Sequence, residues 1–198
     1  MAIILSQVIW GVEVSTQQAY ANFIDRSLAW HAAKQVELTT WADPASPSPC
    51  QQQWIAEDRV RWHPVAQQPS ADFTNVEQAL DVNLHADIKT FYSSFYGANL
   101  AASHDRGNLA LLMPWNAADI ARLQENIIGH FLMKRRLKQR ETVFFAVTDD
   151  ENIVLSILNS TGAVYLEPVG KEVSELVAPD LESFLNSLSP LAYSPLFD

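Results

Sequence analysis

Cysteine occurs once in this chain, at Cys50. No intrachain disulfide can form, which excludes a disulfide-stapled secreted scaffold. A lone thiol fits a reducing compartment such as the cytoplasm. Long apolar runs are also missing: none approaches the roughly 20 residues that a helix needs to cross a bilayer. Basic residues are scarce too, 13 Lys and Arg against 23 Asp and Glu, for a formal charge of −10. Absent as well are HExxH, CxxC and GxSxG, so zinc-protease, thiol-redox and serine-hydrolase chemistry have no sequence support. No cofactor and no metal is expected.

What is present is enough for a folded domain. The 198 residues are 48% hydrophobic and 10% aromatic, a composition that excludes a disordered chain and can bury a substantial single core. The opening stretch, MAIILSQVIWGV, has neither the early basic residue nor the clear cleavage site of a secretory signal. Residues 1–14 read as an extension outside the core, 15–190 as one domain and 191–198 as a tail.

Apolar periodicity places the elements. Ser15 and Gln18 form a capping-box pattern ahead of a helix carrying Tyr20, Phe23, Ile24 and Leu28. The proline-rich stretch 41–50 reads as a loop, and QQWIAEDRVRWHPV as a hairpin turning at Glu57–Asp58. Thr74 and Glu77 repeat the box pattern and predict one helix running through Leu80, Leu84, Ile88, Phe91, Tyr92 and Phe95 to a terminating Gly97. Two strands flank HDRGN. Asn116 and Asp119 cap a third helix over 116–138, three strands follow (TVFFAV, NIVLSILN, AVYLEP), and Asp180 opens a closing helix. Consecutive hairpins among helices predict an α+β domain, a mostly antiparallel sheet with helices packed against it.

The few cations are unevenly spread. Lys134, Arg135, Arg136, Lys138 and Arg140 lie within seven positions, leaving 8 bases against 23 acids elsewhere, or −15. A surface of that sign repels phosphate backbones and attracts basic partners, which argues against nucleic acid as ligand. The cluster itself falls where the third helix ends, and cations there complement the helix dipole. Its alternative role is a local site for an acidic group on a partner or a lipid.

An enzyme reading has two footholds. Cys50 is a nucleophile only if a histidine approaches it in space. His130 follows Glu125 by five positions, a spacing that does not align two side chains on a helix.

QENIIGH, followed by KRRLK and TVFFAV, resembles the Syd family, the SecY-interacting proteins of bacteria. SPC at Ser48–Cys50, VEQALD at Val76–Asp81, KTFYSSFYG at Lys89–Gly97 and LESFLNSL agree in order, so the resemblance covers about residues 15–190. It implies the SMI1/KNR4-like superfamily fold and a non-catalytic protein held peripherally at the cytoplasmic face of the inner membrane. The implied partner is SecY, the channel of the Sec translocon, bound through an acidic concave surface. SecY's cytoplasmic loops are rich in Lys and Arg, as the positive-inside rule requires. Within the family-like segments Glu77, Asp81 and Glu125 are the expected carboxylates, with Tyr92, Tyr96 and Trp115 as aromatic anchors beside them. The alternative within the superfamily is an immunity-type protein that binds a toxin.

Overall fold

In the computed structural model the described residues are 15–192. The expected extension at 1–14 and most of the expected tail lie outside them. Five helices and twelve strands follow in the order α1 (Thr16–Lys34), β1 (Thr39–Trp41), β2 (Gln51–Ala56), β3 (Arg59–Trp62), β4 (Val65–Ala66), α2 (Thr74–Leu80), α3 (Ala86–Ser94), β5 (Phe95–Tyr96), β6 (Leu100–His104), β7 (Gly107–Leu111), α4 (Ala117–Arg136), β8 (Thr142–Thr148), β9 (Ile153–Leu158), β10 (Val164–Pro168), β11 (Glu175–Ala178), α5 (Leu181–Ser187) and β12 (Ser189–Pro190).

Three helix starts form as their sequences dictate, each with a short polar side chain accepting a free backbone N–H. Ser15 Oγ accepts from Gln18 N at 3.3 Å, Asn116 Oδ1 from Asp119 N at 3.1 Å, and Asp180 Oδ1 from Ser183 N at 2.7 Å. The single helix expected over 74–97 is instead two, α2 and α3. Asp81 adopts a left-handed φ of 54° and stops the first. Thr74 does not cap it: its hydroxyl donates to Asp72 Oδ1 at 2.6 Å, and Phe73 holds the cap position. Glu77 reaches forward across the break, where Oε1 accepts from Leu84 N at 2.9 Å and from Lys89 Nζ at 2.8 Å. Gly97 does not terminate a helix either, because α3 ends at Ser94. It lies in a close approach, where an added Cβ would meet Met113 Cε at 2.7 Å and Trp62 Cζ3 at 3.0 Å.

Seven strands form one antiparallel sheet in the order β11-β10-β9-β8-β7-β6-β12. A three-stranded sheet (β1-β3-β2) and the β4-β5 pair stand apart from it. The large sheet is strongly curled. In a flat sheet β7 and β11 lie four strand spacings apart, roughly 19 Å, yet Arg106 in the β6–β7 turn forms an ion pair with Glu175 of β11. Register shifts at Phe144/Ala146 and at Val164/Tyr165 mark bulges, which bend a sheet and deepen its twist. An aromatic chain ties the layers. Tyr20 of α1 stacks on Phe91 of α3 at 4.7 Å, Phe91 meets the edge of Phe145 of β8 at 5.5 Å, and Phe145 meets Phe184 of α5 at 5.4 Å.

Candidate functional site

Two short turns in the sequence are flanked by apolar strands: HDRGN, where Asp105 and Arg106 balance, and the acidic TDDEN. Antiparallel pairing of Leu109 with Thr148 brings them to the same end of the large sheet, and pairing of Pro168 with Ile153 adds the end of β10. Asp105, Asp149, Asp150, Glu151 and Glu175 therefore share one end of the curled sheet. Asp105, Asp149, Asp150 and Glu151 are exposed. Between the turns opens a cavity of about 130 Å³ with an apolar wall of Leu109, Leu155, Leu166, Val177 and Phe184. Its rim is polar and includes His104, Arg106, Asp149 and Asp150. Arg106, ion-paired with Glu175, is the single cation in that rim among the described residues. Carboxylates around an apolar pocket suit a segment in which an apolar side chain is flanked by cations.

The six residues singled out from the sequence fall elsewhere. Hydrogen bonds from Asn75 to Gln124 at 2.8 Å and from Arg135 Nη1 to Leu80 O at 2.9 Å lay α2 along α4. Glu125 and Asp81 are exposed, and each lies one residue past a different one of these contacts, so they sit at opposite ends of the seam. Glu77 is engaged by Lys89, whose ammonium holds its carboxyl below the usual range. The three carboxylates do not form one cluster. Tyr92 corrects the expectation of a surface anchor: it is 1% exposed, its hydroxyl donates to Phe144 O at 2.6 Å, and burial pushes its phenol well up. Tyr96 is half-buried in β5, where it pairs with Val65. Trp115 is half-buried too. Its indole Nε1 donates to Ser46 O at 3.2 Å, and its carbonyl accepts from Ser48 Oγ at 2.5 Å, so the ring anchors the 46–48 loop.

The basic cluster divides by partner. Lys134 has no exposed surface, and its ammonium lies 2.6 Å from Glu167 Oε1 and donates to Lys171 O at 2.9 Å. Thr142 Oγ1 donates to Glu167 Oε2 at 2.7 Å. His130 Nε2 lies 3.0 Å from the same hydroxyl and 3.3 Å from Glu167 Oε1. Thr142 has only one hydrogen to give, so Nε2 carries a proton and donates. Burial pushes the Glu167 carboxyl up, but the hydrogen bonds from His130, Lys134 and Thr142 outweigh it and hold the pKa at about 2. The sequence expectation for KRRLK, a helix end, holds for α4 as a whole, but Lys134 is a core residue. Its i, i+4 spacing from His130 was the available signal; the acidic partner came from β10, 33 positions on.

Neither foothold of the enzyme reading finds the geometry it requires. Cys50 is fully buried, and burial pushes its thiol up, away from the reactive thiolate. His130 is bound to Thr142 and Glu167, not to Glu125. Among the described residues no group of three or more His, Cys, Asp or Glu could hold a metal, and no helix is long and apolar enough to cross a membrane.

Residues 17–190 match the sequence profile described as Syd protein (SUKH-2). The chain is 44% identical to Protein Syd of Pseudoalteromonas atlantica over 147 residues, covering 73% of this chain and 79% of that protein. It is 37% identical to Protein Syd of Psychromonas ingrahamii over 178 residues, 89% of this chain and 97% of that one. Against Protein Syd of Pectobacterium atrosepticum the identity is 38% over 182 residues, 91% and 100% of the two chains. The profile spans the whole described domain apart from its first and last two residues, from the capped α1 through the curled sheet to β12: this chain belongs to the Syd family.

Proposed function

We propose that the protein is a non-catalytic binding module that docks on the basic cytoplasmic loops of SecY. It would sense or restrain improperly assembled channel from the cytoplasmic side of the inner membrane. The observation that carries this reading is the acidic end of the curled sheet, where Asp149 and Asp150 stand in the rim of a small apolar cavity and Asp105 and Glu151 are exposed in the adjoining turns. A loop rich in Lys and Arg meets complementary charge there, and one apolar side chain of that loop has a pocket to enter. Charge of this kind mainly sets association rate and orientation, and buried apolar contact slows dissociation.

The test is association with SecY reconstituted in uncharged lipid, which removes any direct effect of anionic lipid. Reversing Asp105, Asp149 and Asp150 to Lys places like charge against the loops and should weaken binding at least about tenfold. Reversing Glu77, Asp81 and Glu125 should cost less, because Glu77 is already paired and the other two are far apart. Association of the wild type should slow with salt once the Debye length falls below about 10 Å. A folded Asp105/Asp149/Asp150 variant that binds at wild-type strength at every salt concentration would put the recognition surface elsewhere.

A further inference from the structure

The end of α4 and the β10–β11 turn meet at one corner of the molecule. Lys134 Nζ donates to Lys171 O at 2.9 Å, Gln139 Nε2 to Gly170 O at 3.4 Å, and Arg140 pairs with Glu172 at 2.8 Å. Residues 132–141 and 169–173 bring six bases together with Glu141, Glu172 and the buried Glu167. The rest of residues 15–192 carries seven bases against eighteen carboxylates. The corner is thus a local cationic island on an acidic protein. Three of its cations are committed, Lys134 to Glu167, Arg135 to Glu141 and Arg140 to Glu172. Arg136, Lys138 and Lys171 are exposed and have no carboxylate partner among the described residues.

Aliphatic side chains lie among these free cations with most of their surface or nearly half of it in solvent: Leu132 at 54%, Leu137 at 47% and Val169 at 62%. Leu132 and Arg136 are one turn apart on the same face of α4. Leu137 and Lys138 then carry the chain off the helix, Lys138 in a left-handed conformation with φ 55° that turns the backbone out. The aromatic at this corner, Tyr165, is half-buried beneath the Arg140 guanidinium at 5.1 Å, and among the described residues of the corner no fully exposed ring offers the open stacking platform of a single-strand nucleic-acid site or the Trp or Tyr anchors of a protein hot spot. Aliphatic side chains beside unpaired Lys and Arg are the chemistry of a shallow lipid contact, with the apolar groups at the acyl boundary and the cations at phosphate depth.

We infer that this corner, built from Arg136, Leu137, Lys138, Val169 and Lys171 with Leu132 beside them, is a contact site for anionic phospholipid. The inference does not depend on any channel partner. Val169 N donates to Asn152 O at 2.8 Å, so the acidic β8–β9 turn borders the island. Asp149, Asp150 and Glu151 therefore oppose the contact and limit its strength.

The experiment is co-sedimentation of the full chain with protein-free vesicles, either phosphatidylcholine alone or phosphatidylcholine with a third of phosphatidylglycerol. The anionic vesicles should bind the protein and the neutral ones should not, and raising salt from about 50 to about 300 mM should release most of it. The Arg136→Gln, Lys138→Gln, Lys171→Gln triple variant should lose at least about tenfold in partitioning. Leu137→Ser should lose severalfold with its charge intact. Lys34→Gln with Arg59→Gln removes two exposed cations outside the corner and should change binding less than about twofold if the island and not net charge decides. Asp149→Asn, Asp150→Asn, Glu151→Gln should strengthen binding severalfold. The inference is overturned by no binding to anionic vesicles at low salt, by equal binding to both compositions, by equal losses in the corner and control variants, or by a single-stranded RNA that displaces the protein from the vesicles at low micromolar concentration.

Discussion

Lys134 is the residue on which the interior is most exposed to a single change. Its partner Glu167 is 1% exposed and cannot return to water if the ammonium is removed. Lys134→Met should destabilise the fold by about 3–5 kcal/mol, because an uncompensated buried carboxylate remains. Lys134→Met with Glu167→Leu should recover most of that loss, and urea unfolding of the four combinations measures the coupling. The same carboxylate sets an acid limit. Its folded pKa lies at about 2, below the ordinary value near 4.5, so the folded state favours the ionised form. This contribution to stability is present above pH 4.5 and is lost as pH falls toward 2. Thermal melts of the wild type should lose little from this group between pH 7 and 5 and fall steeply below 4.5. Removing the hydrogen bond from Thr142, by Thr142→Val, raises the folded pKa toward the ordinary value, so that fall should be smaller and complete at higher pH.

At the scale of elements, the α2–α3 break turns on Asp81. Its φ of 54° is a conformation that costs a side-chain-bearing residue about 1–2 kcal/mol and glycine almost nothing. Asp81→Gly should leave the melting temperature level or raise it, and Asp81→Val should lower it by several degrees. A continuous helix would reverse that order, since glycine costs about 1 kcal/mol in a helix interior. Gly97 gives a second check. Gly97→Ala drives a methyl into Met113 and Trp62 and should cost about 1–3 kcal/mol, read as a lower denaturant midpoint at unchanged slope. Both sites lie in a segment whose apolar positions, Leu80, Leu84 and Ile88, are spaced by four. That spacing serves two short helices packed on one core as well as it serves one long helix.

For the whole molecule, curvature is what brings the β6–β7 turn against β11. The Arg106–Glu175 ion pair spans the mouth of the sheet from the β6–β7 turn to the start of β11, and an exposed pair adds only about 0–1 kcal/mol. Arg106→Ala should therefore leave the melting temperature within about two degrees. By removing the rim's cation it should also speed association with SecY if the acidic end is the docking surface. Stopped-flow association at low and high salt, compared with the wild type, checks both expectations. An unchanged rate at low salt would show that the field at this mouth does not steer the partner.

Composition and local pattern were enough to determine the helix caps at Ser15 and Asn116, the start of the closing helix at Pro179–Asp180, the principal hairpins, the α+β class and, through QENIIGH and its basic sequel, the family. These signals act over a few residues, through one hydrogen bond or one period of burial, so they survive reading in a line. Only the tertiary structure decided that Lys134 belongs to the core, that Tyr92 spends its hydroxyl on Phe144, and that Asp105 and Asp149 share one end of the sheet while Asp81 and Glu125 stand at opposite ends of the seam between α2 and α4. Those outcomes depend on which strand lies beside which and how far the sheet curls. Pairing partners here are separated by tens of residues, and curl accumulates over seven strands, so no local window of the chain contains either.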